Sequence, residues 1–317
     1  MSQLKVLQSH PGCQLQDLGR RHVAAVGLTE GGVADVTAAV MANILSGNAP
    51  SAAVLEISLG GFQFEALGEV QIAITGAVLL LTINGKPQAR YQRLQLSTGD
   101  VLTLGYAKRG LRAYVAVRGG FSTPLAFGSA STVLREQLGG VTGQALQAGE
   151  CLEVNPSEAN QSMLALRSVG YQWQPKFLAT QRLQWVAGGQ IDQFDPAAVA
   201  AFTQQWYQVT PQSDRMGYRL RGQGLTLPVG SSNRLLSEGI CLGAIQLPPD
   251  GQPIVLLPDH QTIGGYPKIG ALTRDSVSVL SQCRDGTLVQ FQQITIEQAQ
   301  SQRRQHWQWL LSGAYLI

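Results

Sequence analysis

Charge is scarce in this sequence. Asp, Glu, Lys and Arg make up 14% of its 317 residues, against about 25% in a typical domain. The net charge is only +3, and no basic run is longer than a pair such as Arg303-Arg304. Without a basic stripe interleaved with aromatics, nucleic acid is not an expected partner. Cysteine is sparse and scattered: Cys13, Cys151, Cys241 and Cys283 form no C-x-x-C pair, which excludes a zinc knuckle and a thioredoxin-type redox motif. The histidines His10, His22, His260 and His306 have no ligand spacing, so no metal site is expected. No apolar run approaches the ~20 residues that span a bilayer, and "MSQLKVLQSHPG" has no signal-peptide apolar core. A cytoplasmic chain with reduced thiols and no membrane partner is the expectation. Walker-type phosphate loops, G-x-S-x-G elbows and H-E-x-x-H helices are all absent from the sequence, and so is the Ala-Met-Lys-Met stretch that carries biotin.

What is present is glycine, 36 residues of it, and many short β-rich runs. "KVLQSH", "VLEISLGG", "FQFEAL", "VQIAITGA" and "VLLLTING" fill the first half, separated by turn signals. Asn84-Gly85 predicts a hairpin, because both residues tolerate positive φ. One helix is predicted from Asp35 as N-cap, with Val36, Val40, Ile44 and Leu45 on one face and Gly47 as its stop. In the second half Asp195-Pro196 predicts another helix start, "GAIQLP", "PIVLLP" and "TLVQFQQI" read as strands, and Thr295 caps a closing helix. A weak repeat, "LQLSTGDVLTL", "ALQAGECLEV" and "SQCRDGTLVQF", places a glycine and an acid in a turn between strand-like runs. One core stops growing near about 250–300 residues. The chain is therefore read as mainly β with a few helices in two domains, 1–160 and 175–317, with the polar segment 155–174 as linker.

Polar chemistry gathers in four blocks: "QDLGR", "TPQSDRMGYRL", "SEGICLGAIQLPPDGQP" and "PDHQTIGGYPKIG". In the last, Gly264-Gly265 suits either a backbone nest for an anion or a turn needing positive φ. Lys268 is a cation for a developing oxyanion or a solvated lysine. Asp259 and Asp250 are candidates for a general base, although "PPDGQP" is also turn chemistry. Gln246, Gln252 and Gln261 carry amides that both donate and accept, as recognition of a lactam or urea requires; Thr262 stands beside them. Tyr266 offers a phenolic proton or a packing ring. Asp214 and Arg215 pair with each other or grip a carboxylate, and Gln16, Asp17 and Arg20 are candidates for the same role from the first domain. Lys268, Asp259 and Tyr266 are the catalytic candidates; the others are substrate-binding candidates.

These blocks resemble the C-component family of bacterial 5-oxoprolinase, also described as the Kip anti-inhibitor family or allophanate hydrolase subunit 2, which is similar to half of the carboxyltransferase domain of urea carboxylase. "LQDLGR", "GGVAD", "LEISLGGFQF", "ITGA", "RGGF", "GSAST", "SDRMGYRL" and "QTIGGYPKIG" carry the resemblance, which covers nearly the whole chain. The chain departs from the family pattern at residues 21–27, at Val78 and at His260. The resemblance implies two cyclophilin-like β-barrel domains and pairing with a B component of related fold. With an A component, the complex would open 5-oxoproline to glutamate using ATP, bound by or shared with a partner. Two alternatives follow from the same resemblance: carboxyl transfer from carboxybiotin on another chain to a urea-like acceptor, and non-catalytic binding of a kinase inhibitor.

Overall fold

The computed structural model describes residues 2–156, 168–225 and 236–317. Most of the linker candidate, residues 157–167 of 155–174, lies outside the described residues. Two compact units emerge. The first comprises Met1–Arg20, Gly31–Lys176 and Trp307–Ile317; the second comprises Arg21–Glu30 and Phe177–His306. Mainly β structure with four α-helices among the described residues agrees with the fold class read from the sequence.

The strands of the first unit are β1 (Gln3–Gln8), β2 (Cys13–Gln16), β3 (Val54–Ser58), β4 (Phe62–Ala66) and β5 (Val70–Ile83). They continue with β6 (Lys86–Gln88), β7 (Arg93–Leu96), β8 (Val101–Val117), β9 (Phe121–Ser122) and β10 (Cys151–Val154). All ten join one sheet along the path β2-β3-β8-β4-β1-β10-β9, with β5 pairing β6, β7 and β8. Alternation does the work of burial: in β4 the pattern puts Phe62, Phe64 and Ala66 inside and half-exposes Gln63 and Glu65. Two runs read from the sequence as separate strands, "VQIAITGA" and "VLLLTING", form the single strand β5. Its pairing with β8 shifts register between Gly76 and Leu81. Gly76, at φ 84°, carries the irregularity, because a Cβ there would stand 2.3 Å from the Arg112 carbonyl oxygen.

Helix α1 (Val36–Ser46) starts where the sequence placed it, with the Asp35 carboxylate accepting from the Ala38 N–H at 3.0 Å. Gly47 ends it in the left-handed region at φ 78°. The expected single apolar face is not what the structure shows. Ala38, Ala39, Met41, Ala42 and Asn43 are buried as well as Val36, Val40 and Leu45, whereas Ile44 is only partly buried. Small side chains let this helix lie close against β5 and β8, and its last turn is closed by Arg93, which donates twice to the Leu45 carbonyl at 2.9 and 2.7 Å.

The second unit contains β11 (Thr180–Ala187), β12 (Tyr207–Val209), β13 (Gly217–Arg221), β14 (Glu238–Gly239) and β15 (Ala244–Gln246). It continues with β16 (Ile254–Leu256), β17 (Ile263–Gly264), β18 (Lys268–Leu272) and β19 (Leu288–Gln293). Seven of these close a barrel in the order β11-β18-β15-β16-β13-β12-β19, with β11 and β19 parallel and forming its seam. The remaining pair, β14 and β17, forms a two-stranded ribbon. Gly270 on β18 is a packing requirement: a Cβ would stand 2.2 Å from the Val186 carbonyl oxygen and 2.7 Å from the Trp185 ring.

Local signals set the helices of this unit. Asp195 caps α2 (Pro196–Gln204) by accepting from the Ala197 N–H at 2.7 Å, and α2 is anchored by its one buried residue, Phe202, stacked on Phe291 at 4.3 Å. Thr273 caps α3 (Arg274–Ser281). At the start of α4 (Ile296–Ser312), Thr295 and Gln298 exchange hydrogen bonds of 3.0 and 3.2 Å, the reciprocal capping box. The weak repeat is a recurring turn rather than a recurring strand pair. In Ser97–Asp100, Gln147–Glu150 and Arg284–Thr287 the fourth residue's N–H donates to the first carbonyl, at 3.0, 3.2 and 3.0 Å. Its side chain accepts from the first N–H in return, at 2.8, 3.0 and 3.2 Å. The third residue is a glycine at φ 88, 94 and 83°, as a type II turn demands. Only the first copy is flanked by strands on both sides, and Thr287 replaces the acid in the third.

Candidate functional site

The stretch from Asp259 to Lys268 builds one wall of the candidate site in the second unit. β17 pairs with β14, setting Glu238 opposite Gly264. β18 pairs with β15, setting Lys268 opposite Gln246, with a register shift between Ile245 and Gln246. Such irregularities re-aim side chains. Here they bring Gln246 under Gly264. Gln246 is 2% exposed, and its amide nitrogen has no hydrogen-bond partner among the described residues. A buried donor left unpaired costs about 1–3 kcal/mol, which a ligand carbonyl would recover. The Gln261 amide nitrogen belongs to the same cradle: a Cβ built on Gly264 would stand 2.8 Å from Gln246 Nε2 and 3.7 Å from Gln261 Nε2.

Gly264-Gly265 does not form the anion nest, nor the positive-φ turn, considered from the sequence. Neither residue has positive φ, because Gly264 is held extended by the ladder to β14. Glycine is used at 264 for closeness to the Gln246 amide. Gly264→Ala is therefore expected to push that amide aside. It should weaken binding of an amide-bearing ligand at least tenfold, while melting of the free chain shifts by only a few degrees. Unchanged binding would remove Gln246 from the site.

Lys268 is partly buried and its ammonium meets the Glu238 carboxylate at 2.6 Å, with the Tyr266 carbonyl at 3.4 Å. Gln190 completes this group, accepting from the Lys268 N–H at 2.8 Å and donating to Glu238 at 2.6 Å. Tyr266 is 36% exposed, and the Thr262 carbonyl accepts from the Ile240 N–H at 3.0 Å.

The other sequence candidates are held by bonds of their own. Arg215 grips Asp259, not Asp214, through two parallel bonds of 2.8 Å, a fork that the planar guanidinium makes to one carboxylate. Asp214 instead closes the turn to Met216 and Gly217, accepting at 2.7 and 3.1 Å. Asp250 accepts from the Gln252 N–H at 3.1 Å, and the Gln252 amide clamps the Gly222 backbone at 2.9 and 3.1 Å. In the first unit, Asp17 accepts from Gly19, Ser129, Ala130 and Ser131 at 2.6–2.8 Å. Arg20, 1% exposed, donates to the Ala126 and Ser131 carbonyls, and Gln16 donates to Gln14 and to the Thr132 carbonyl. These three knot one loop region together.

Of the three departures from the family pattern, Val78 sits at the β5 register shift. Residues 24–26 form a single 3₁₀ turn. His260 is buried, with Nδ1–H donating to the Gln261 carbonyl at 2.6 Å and its own carbonyl accepting from Thr29 Oγ1 at 3.3 Å. Sequence reading missed Glu238 and Gln190, whose only signal was membership of polar segments. Among the described residues no cluster of acids, histidines and cysteines fits a metal ion, and no helix is long and apolar enough to cross a membrane.

The described residues thus form a ten-stranded sheet unit and a seven-stranded barrel unit, with Lys268, Gln246 and Gln261 beside the β14–β17 ribbon. Residues 26–293 match the model of the carboxyltransferase domain, subdomain A and B, and the chain belongs to that family. It is 32% identical over 308 residues to the 5-oxoprolinase C subunit of Haemophilus influenzae, covering 96% of this chain and 95% of that one. It is 34% identical over 301 residues to the 5-oxoprolinase C subunit of Escherichia coli, covering 95% and 94%. Among solved structures, the K. lactis urea amidolyase superposes with a TM-score of 0.89 at 23% identity over 97% of this chain, a likeness of fold. The chain spans only 20% of that larger protein.

Proposed function

We propose that the chain is the C component of an ATP-dependent 5-oxoprolinase, inactive alone, which opens 5-oxoproline to L-glutamate together with the A and B components. The observation that carries this reading is the 32% and 34% identity to two 5-oxoprolinase C subunits, over 95% and 94% of their lengths. The site is consistent with it. The unpaired Gln246 amide would donate to the lactam carbonyl, with Gln261 beside it. Lys268, swinging from Glu238, would neutralise negative charge on the opening ring. Asp259, locked to Arg215, would act as a positioning group for the segment that carries Gln261. Without positive φ at Gly264-Gly265, that backbone does not fit a triphosphate. We therefore assign ATP to a partner or a shared surface. Biotin has no role in this reading.

The test is 5-oxoproline-dependent ATP hydrolysis by this chain alone and mixed with the A and B components. Turnover in the full mixture only, insensitive to avidin, is the expected result. A stable complex without turnover would overturn the reading, and avidin-sensitive activity on a urea-like acceptor would replace it with carboxyl transfer.

A further inference from the structure

A second cavity of the barrel unit, about 350 Å³, is lined by Arg274, Glu30, Thr29, His260 and Thr262 together with apolar residues such as Ile240 and Val277. Its charges are placed unusually. Arg274 is half-buried at the first position of α3, yet no hydrogen bond or ion pair holds its guanidinium among the described residues. The nearest acid in sequence, Asp275, is taken by Arg303 at 2.7 Å. Glu30, exposed at the cavity rim, likewise has no hydrogen bond or ion pair among the described residues. Burial lowers the Arg274 pKa to about 10, with Arg303 adding repulsion and Glu30 and Asp275 opposing it. A partly desolvated guanidinium without a bonded anion among the described residues is placed to accept one.

Two opposite charges thus line one cavity without meeting, and the space between them has apolar walls. We propose that this cavity binds a free α-amino acid with a short aliphatic side chain. Its carboxylate would lie in the Arg274 fork, its ammonium would face Glu30, and its side chain would rest on Ile240 and Val277. A volume of about 350 Å³ lies at the small end of ligand pockets, roughly 300–1,000 Å³. Thr29 and Thr262 border the same space; the Thr29 hydroxyl already donates to the His260 carbonyl at 3.3 Å and offers its oxygen as an acceptor. The cavity adjoins the Lys268–Gln246 group, because Ile240 lines the cavity and also lies against Gly264, but the proposal does not rest on the 5-oxoprolinase reading.

Isothermal titration of the full chain with L-valine, isovalerate (no ammonium) and isobutylamine (no carboxylate) tests it. L-Valine is expected to bind with a Kd below about 1 mM, and each truncated analogue at least tenfold more weakly. Arg274→Gln should abolish L-valine binding, and Glu30→Gln should weaken L-valine at least fivefold while strengthening isovalerate. Unchanged melting of both variants shows that they fold. No heat with L-valine at 10 mM, or equal affinity of the wild type and Arg274→Gln, overturns the proposal. Equal binding of isovalerate and L-valine makes it a plain carboxylate site and overturns the amino-acid assignment. Because binding is read on the chain by itself, failure here leaves the assembled enzyme's activity a separate question.

Discussion

Under the proposed 5-oxoprolinase reading, Lys268→Ala is expected to lower 5-oxoproline turnover by the reconstituted complex by about 10²–10³-fold, the usual cost of removing a group that stabilises charge in a transition state, with KM changed less than threefold. The competing role is structural: Lys268 is already paired with Glu238 at 2.6 Å, and Gln190 bonds both. Stability separates the two. Glu238 is half-exposed, its side chain 51% accessible, and exposed pairs contribute about 0–1 kcal/mol. Glu238→Gln should therefore melt within a few degrees of the parent and keep most of its turnover, since only the lysine's resting partner is lost. Lys268→Arg should recover part of the activity, as a longer cation in the same place. A loss of less than tenfold in Lys268→Ala would reduce the lysine to a ribbon-closing residue.

The largest expected effect on stability lies in the first unit, at Glu56. This carboxylate is 2% exposed and accepts from the Ala34 N–H and the Tyr114 hydroxyl, each at 2.9 Å, with Arg112 Nε at 3.4 Å. Tyr114 in turn accepts from the Asp35 N–H at 2.8 Å, so the group ties β3 and β8 to the start of α1. Burial, and then the Glu56 and Asp35 charges, hold the Tyr114 phenol well above its ordinary pKa, so it remains a neutral donor at physiological pH. Removing one member of a buried ion pair costs about 3–5 kcal/mol, because the other charge stays buried. Glu56→Leu should accordingly lower the melting temperature by about 10 °C. The double change Glu56→Leu, Arg112→Met should recover part of that loss, the Ala34 N–H and Tyr114 hydroxyl left without Glu56 keeping the rest. Calorimetry of the single and double variants checks both, and a single-variant cost under about 1 kcal/mol would mean that water reaches the pair.

The helix starts at Asp35, Asp195 and Thr295 and the hairpin at Asn84-Gly85 were legible in the sequence. Each is decided within about four residues, by a side chain reaching its neighbour's N–H or by a tolerated positive φ. Alternation made most strands legible for the same reason. The polar stretch after β16 was legible as a candidate site because cores do not gather amides, glycines and a lysine. What failed was reading beyond the window. Gly76 looked like the end of a strand and is a bulge within one, because the clash that requires glycine comes from Arg112, 36 residues away in sequence (112 − 76). The wide burial of α1 was hidden because alanine shows no face until β5 and β8 are laid against it.

By itself, then, the sequence determined the class of fold, its family and the segment that bears the candidate site, all written in local patterns and contiguous motifs. The pairing of charges, by contrast, was set by contacts between distant segments. Arg215 chose Asp259, 44 residues away, over its neighbour Asp214. Lys268 met Glu238 from the facing ribbon, and Arg274 was left with no hydrogen bond or ion pair among the described residues, beside a cavity that no motif announced. A charge takes whichever partner the backbone brings within about 4 Å and shields from water, and strand register sets that distance between residues far apart in the chain.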